Sequence, residues 1–185
     1  MPDAKPVQIE ETVRVLLPAE RIQARVRELG LQIARDYQER RPVLVGVLKG
    51  AVVFLSDLVR AAPIDLEIDF VSLSSYGAST RPDGPVRLVH DLRGPIAGRD
   101  VILVEGVADT GHSISFILDT LRARQPSSLK VCALLDKVPC RRVPVTVDYC
   151  GFTIGDAFVV GYGLDVAERY RNLPYVGVVE SGAAS

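Results

Sequence analysis

The sequence predicts an α/β domain built around a mostly parallel sheet, and three observations carry that prediction. Short runs of β-branched and aliphatic residues stand at 43–48, 101–104 and 129–135. Such unbroken apolar runs mark strands covered on both faces, as parallel strands are when helices flank the sheet. Helix-periodic or apolar helical stretches alternate with them in the chain, which is the order of a βαβ architecture. With 185 residues, 48% of them hydrophobic, the chain is long enough for one sizeable core, and a single domain over 1–185 is expected.

Residues 18–38 read as a helix, because Ile22, Val26, Leu29, Ile33 and Tyr37 recur at three- and four-residue steps. Pro18 suits its first turn. Gly30 costs about 1 kcal/mol against alanine in mid-helix, so a kink is expected there. The strand at 43–48 ends at Lys49-Gly50, and a helix over 51–61 follows, closed by Pro63. Residues 66–74 alternate, with Leu66, Ile68 and Phe70 against Glu67, Asp69 and Val71, which predicts a strand with one wetter face. Residues 86–90 alternate again. The long polar connection 76–85 between them is no tight hairpin turn; loops of that length and composition are often lids or binding loops. After the turn Gly98-Arg99-Asp100 come the strand 101–104, a loop, a helix over about 112–124, and the strand 129–135. Ligands of such sheets bind at the carboxyl ends of the strands. That directs attention to Lys49-Gly50, to 105–113 and to Asp136-Lys137.

Charge and composition exclude several classes of function. Twenty-two basic and 23 acidic residues leave a net charge of -1, which gives no bulk attraction to nucleic acid or to an acidic membrane surface. No apolar run approaches the roughly 20 residues needed to cross a bilayer. The polar start 1–7, with Pro2 and Pro6, lacks the apolar core of a signal peptide. A soluble, cytoplasmic protein with no nucleic-acid or membrane partner is expected. Cys132, Cys140 and Cys150 form no Cys-x-x-Cys pair and only two histidines are present, which argues against a zinc site or a disulfide framework.

The segment 101–113 carries the chemistry. An aliphatic strand delivers Glu105 to its carboxyl end, and a tight loop containing Gly106 and Gly111 is expected to follow. Thr110, His112 and Ser113 then open a helix. Free N–H groups at such a loop and helix start form an anion site, and Thr110 and Ser113 add hydroxyl donors. Asp109 opposes an anion there, so it needs a role of its own, such as proton transfer or support for a developing cation.

This run resembles the phosphoribosyl-diphosphate signature of the type I phosphoribosyltransferases, two acidic residues followed by Asp-Thr-Gly. Four further segments resemble the hypoxanthine-guanine branch of that family: Val47-Leu48-Lys49-Gly50-Ala51, Ser74-Ser75-Tyr76-Gly77, Leu134-Leu135-Asp136-Lys137 and Phe158-Val159-Val160-Gly161-Tyr162-Gly163-Leu164-Asp165. The last continues through Glu168, Arg169 and Tyr170 to Arg171-Asn172-Leu173-Pro174. The resemblance covers about residues 8–179, and it implies the family fold, a twisted, mostly parallel sheet with a small hood and a lid loop over about 75–86.

It also implies purine salvage, in which the phosphoribosyl group passes from phosphoribosyl diphosphate to N9 of hypoxanthine or guanine. Asp109 matches the general base toward purine N7. Glu105 matches the acid at the ribose hydroxyls, and with Gly106, Val107, Ala108, Thr110, Gly111, His112 and Ser113 it completes the phosphate and ribose site. For His112 the backbone rather than the imidazole is expected to matter. Lys49, Gly50 and Arg171 match the diphosphate contacts. Lys137, Phe158 and Val159 match the purine contacts: a donor to the 6-oxygen, a stacking ring and a backbone edge. Ser75 and Tyr76 match the start of the lid. Magnesium is the implied cofactor, with Glu105 and Asp165 as its ligands, and a homodimer or homotetramer is the implied assembly. Taken one at a time, Lys137 and Arg171 read as surface cations, Phe158 as core and Asp165 as the cap of a following helix; only the resemblance gives them these roles.

The sequence departs from the family at two positions in the signature. Gly106 stands where the second acidic residue is expected, and Ala108 where a branched aliphatic is usual. A carboxylate bonded to a ribose hydroxyl is worth roughly 1.5–3 kcal/mol, or about 10- to 150-fold in affinity. An active transferase with weakened sugar binding is therefore expected, and an inactive nucleotide-binding relative is the alternative. Lys137 with Phe158 argues for a purine over a pyrimidine base.

Overall fold

The computed structural model describes residues 12–75 and 86–180. Its main sheet has six strands: β2 (Val43–Leu48), β3 (Glu67–Ser75), β4 (Val86–His90), β5 (Asp100–Ala108), β6 (Ser128–Asp136) and β7 (Tyr149–Thr153). Their spatial order is β4-β3-β2-β5-β6-β7, parallel except for the edge strand β4. Three helices flank them: α1 (Ala19–Asp36), α2 (Val52–Ala61) and α3 (His112–Arg122). A separate antiparallel sheet, β1-β9-β8, joins β1 (Thr12–Leu17), β8 (Val159–Val160) and β9 (Val176–Glu180).

The apolar strand runs divide between two cores, as side chains alternating across a sheet must. Leu44, Ile102, Val104, Cys132 and Leu134 pack with Leu29 and Ile33 of α1 and Phe54 and Leu58 of α2. Val43, Val45, Val101, Leu103, Val131 and Ala133 pack instead with Ile114, Ile117 and Leu121 of α3. That two-sided burial is why 43–48 and 101–104 carry no polar side chain and 129–135 only Lys130, near the start of its strand. Because β2, β5 and β6 are neighbours and parallel, their carboxyl ends bring Lys49, Asp109 and Lys137 to one rim of the sheet.

The fold differs from the sequence reading in four places. Helix α1 is unbroken through Gly30, so the expected kink is absent. Gly30 instead lets α2 approach: a Cβ there would stand 2.5 Å from the backbone carbon of Ala61. Gly30→Ala gains about 1 kcal/mol in helix propensity, but the atoms it meets are backbone and cannot swing away. Overpacking of this kind costs about 1–3 kcal/mol, so a lower denaturant midpoint is expected in urea melts. Second, β5 runs four residues beyond Val104, so Glu105, Gly106, Val107 and Ala108 belong to a strand rather than to a loop. Third, no helix follows Asp165; 161–175 is a chain of turns and isolated bridges. Fourth, the hood strands β1, β8 and β9 and the sheet strand β7 had no counterpart among the predicted elements.

Candidate active site

The loop between β5 and α3 is only three residues long, because the strand persists to Ala108 and the helix starts at His112. Gly111 caps the helix in the left-handed region, at φ +92°, where a side chain would be strained and would collide with the Val143 carbonyl. Having no side chain, it offers no cap to the helix start, where the N–H groups of a first helical turn point outward and suit an anion. A cavity of about 210 Å3 opens there, lined by Glu105, Val107, Asp109, Thr110, Gly111 and Ser113 above Ile114. Seven of the sequence-expected residues thus converge or adjoin: those six, with His112 beside them on the first helical turn.

This loop is braced from behind. The N–H groups of Arg142 and Val143 donate to the Thr110 carbonyl at 2.9 and 3.0 Å, and that of Lys137 donates to the Ala108 carbonyl at 2.9 Å. Arg141 Nη1 donates to the Asp109 carbonyl at 2.7 Å, while its Nη2 pairs with the Asp136 carboxylate. Arg141 was not among the expected site residues, and Asp136, at a strand end where ligands were expected, had no role of its own. The signal available for Arg141 was its place four residues beyond Lys137, just past the carboxyl end of a buried strand.

Lys137 is buried rather than a surface cation, and its Nζ donates to Asp109 Oδ2 at 2.9 Å. The donor expected at the purine 6-oxygen and the base expected at N7 are therefore in direct contact. Phe158 is 58% exposed, not core, at the entry to β8, and Val159 beside it is buried. An exposed ring on a fixed backbone is what stacking on a flat ligand requires.

A second cluster forms where the turn after β2 meets 163–171. The Leu48–Lys49 peptide is cis. Lys49 Nζ donates to Glu168 Oε1 at 3.0 Å, and Arg171 reaches Glu168 Oε2 at 3.2 Å and Asp165 Oδ1 at 2.8 Å. Arg171 also donates to the Gly163 carbonyl at 2.8 Å. Asp165 Oδ2 accepts the N–H of Glu168 at 2.9 Å, so it shapes a turn instead of capping a helix. Lys49 first, and Arg171 second, hold the Glu168 carboxyl below the usual carboxylate range. Glu168 was quoted with its neighbours but given no part to play.

Glu105 and Gly106 face different surroundings, as consecutive strand residues do. Glu105 lines the cavity with Val107 and Asp109. Burial pushes its carboxyl up to about 8, opposed by the backbone N–H groups of Gly106 and Val107. Gly106 instead faces the turn after β2: a Cβ there would lie 2.9 Å from the Gly50 carbonyl oxygen and 2.9 Å from Leu164 Cδ2. The position of the missing acid is thus occupied by neighbours. Ala108 is fully buried in the core on the α3 side.

Among the described residues no group of three or more His, Cys, Asp or Glu side chains gathers as a cage for a metal. The donors present suit magnesium, which takes one or two carboxylates and completes its shell from phosphates and water. Asp165 offers a partly exposed carboxylate, and Glu105 a desolvated one that a cation would relieve. A larger cavity of about 590 Å3, between α3, β6 and the segment 138–148, contains none of the residues given a role in the sequence. Ser75 pairs with Val86 at the end of β3, whereas Tyr76 and the rest of the expected lid 76–85 lie outside the described residues.

Comparison with known proteins bears on the family. A family model described as a phosphoribosyl transferase domain matches residues 14–167. A hypoxanthine-guanine phosphoribosyltransferase of Bacillus subtilis is 45% identical over 167 residues, covering 90% of this chain and 93% of the relative. One from Mycobacterium avium is 48% identical over 172 residues, covering 90% and 85%. The crystal structure of a hypoxanthine-guanine phosphoribosyltransferase from Bacillus anthracis superposes with a TM-score of 0.87 at 44% identity, covering 91% of this chain and all of that one. The alternative of an inactive relative finds no support among them. The chain belongs to the phosphoribosyltransferase family, with the hypoxanthine-guanine phosphoribosyltransferases as its relatives.

Proposed function

We propose that this protein is a purine-salvage transferase that moves the 5-phosphoribosyl group from phosphoribosyl diphosphate to N9 of hypoxanthine or guanine, releasing diphosphate. The observation that carries the reading is the Asp109–Lys137 pair at the mouth of the anion loop. A purine that docks its O6/N7 edge against them takes a hydrogen bond from Lys137 Nζ at its 6-oxygen and presents N7–H to the Asp109 carboxylate. As the N9 lone pair bonds to C1 of the ribose, the C1–O bond breaks, its electrons leave with the diphosphate, and the N7 proton passes to Asp109. Phe158 stacks on the base and Val159 meets its edge through the backbone.

The amides and hydroxyls of Thr110, Gly111, His112 and Ser113 hold the 5′-phosphate, and Glu105 holds the ribose. Lys49, the Gly50 amide and Arg171 neutralise the departing diphosphate. Glu105 and Asp165 would hold a magnesium ion, which would supply further charge neutralisation for the diphosphate. The segment from Ser75 and Tyr76 through 85 serves as a lid that keeps water from competing as nucleophile. Self-association as a homodimer or homotetramer belongs to the same reading. No helix of the described residues is long and apolar enough to cross a membrane, and a cytoplasmic setting is proposed.

The test is magnesium-dependent diphosphate release with hypoxanthine, guanine and xanthine in turn. Release with either of the first two is the expected result, and release with none of them sinks the proposal. A second measurement addresses the missing acid. Gly106→Asp tests whether the absent carboxylate limits phosphoribosyl diphosphate binding, a gain of up to about 10- to 150-fold; because its Cβ would meet the Gly50 carbonyl oxygen, a backbone atom, at 2.9 Å, a lower melting temperature is expected with it. An unchanged dissociation constant in a folded variant would mean that the absent carboxylate is not limiting.

A further inference from the structure

The two cations assigned to the diphosphate are already bridged by one side chain. Glu168 turns one carboxylate oxygen to Lys49 and the other to Arg171, at 3.0 and 3.2 Å. A bidentate anion spanning both cations is what a diphosphate would be. Glu168 is held in that attitude by its own backbone, with its N–H on Asp165 Oδ2 and its φ at +64°. Ala167 and Tyr170 are also left-handed, at φ +49° and +74°, so three of four consecutive residues adopt a conformation that non-glycine residues seldom take. Strain of this kind persists where the surroundings enforce it, and it gathers at functional loops. Lys49 and Glu168 are 64% and 65% exposed, so their pair is open to displacement by a stronger anion.

We propose that Glu168 is an internal competitor for the diphosphate site, a carboxylate that occupies Lys49 and Arg171 when the site is empty and must leave both for diphosphate to bind. Its return as the leaving group departs would assist product release. A single carboxylate cannot match the charge of a diphosphate, so the substrate wins while weaker monoanions are excluded. The apparent affinity for diphosphate is lowered in proportion to the fraction of time the cations are free. The inference rests on the transferase reading, because diphosphate is the leaving group only in that reaction.

The sign of one substitution separates competition from support. Glu168→Gln keeps the shape and removes the charge. Binding of inorganic diphosphate with magnesium, measured by calorimetry on the full chain, is expected to tighten by about 3- to 10-fold. The KM for phosphoribosyl diphosphate should fall with it, and kcat should fall where product release limits turnover. The difference from the parent should shrink toward unity in 1 M salt, where the screening length is about 3 Å. If Glu168 merely positions Lys49 and Arg171, diphosphate binds Glu168→Gln equally or more weakly, and the proposal is overturned while the function stands. If the parent protein binds no diphosphate at all, both this inference and the function fall together. A melting-temperature comparison identifies a variant that has failed to fold, and Glu168→Ala then repeats the measurement with the same expected sign.

Discussion

Asp109→Asn is expected to lower kcat by about 10²- to 10⁴-fold, the usual contribution of a positioned general base. Asparagine is close to isosteric and still presents an oxygen to Lys137, so the buried ammonium keeps a hydrogen-bond partner, but it cannot take a proton from N7. The proposed phosphate contacts come from the amides of the loop and of the first turn of α3, a backbone that the change leaves in place. The KM for phosphoribosyl diphosphate should therefore move by less than about threefold while kcat collapses. Asp109 is 44% exposed, and its loss strands Lys137 less severely than a fully buried pair would. A melting temperature within a few degrees of the parent is expected. Steady-state kinetics with hypoxanthine and guanine check the claim; a kcat within tenfold of the parent excludes Asp109 as the base.

Much of the fold was legible because the physics was local. The runs 43–48, 101–104 and 131–135 are apolar on both faces because two cores compete for them, and that leaves a plain trace in sequence. The helix periodicity of α1 was equally plain, but the purpose of Gly30 was not. Its cost appears in any propensity scale, whereas the compensating approach of Ala61 is a tertiary fact. The hood strands were missed because β8 has two residues and pairs with β9 some 17 positions later; neither length nor spacing announces such a pairing. The end of β5 was misplaced because Gly106 resembles a turn signal. Its actual reason is the Gly50 carbonyl, which comes from another strand end.

The same division holds for the site. Asp109, Thr110, Gly111 and Ser113 are consecutive or nearly so, and a loop that opens a helix can be read directly. Lys137, Phe158, Asp165 and Arg171 are isolated, and in sequence only the family resemblance distinguished them from surface or core residues. Arg141 and Glu168 had neither advantage. Each acts through a residue far along the chain, Arg141 on Asp109 and Glu168 on Lys49, so their importance became visible only in three dimensions.

Arg141→Met should lower both stability and turnover. The Arg141 and Asp136 side chains are 15% and 12% exposed, so the substitution leaves a carboxylate in a poorly solvated place without its cation. Breaking a buried pair from one side costs about 3–5 kcal/mol, a large share of the roughly 5–15 kcal/mol that holds a domain together. For a chain of this size the melting temperature should fall by roughly 6–20 °C. Turnover should fall as well, because Arg141 Nη1 fixes the carbonyl of Asp109 itself, and a base displaced by a fraction of an ångström loses rate. The double variant Arg141→Met/Asp136→Leu separates the two effects. Replacing both charges with apolar side chains removes the stranded carboxylate and should restore most of the melting temperature. It does not restore the bond to the Asp109 carbonyl, so kcat should stay low at a temperature where the protein is fully folded. Recovery of both would make Arg141 no more than a counterion for Asp136. Recovery of stability alone would make it a positioning residue for the base, reached through the backbone rather than through the substrate.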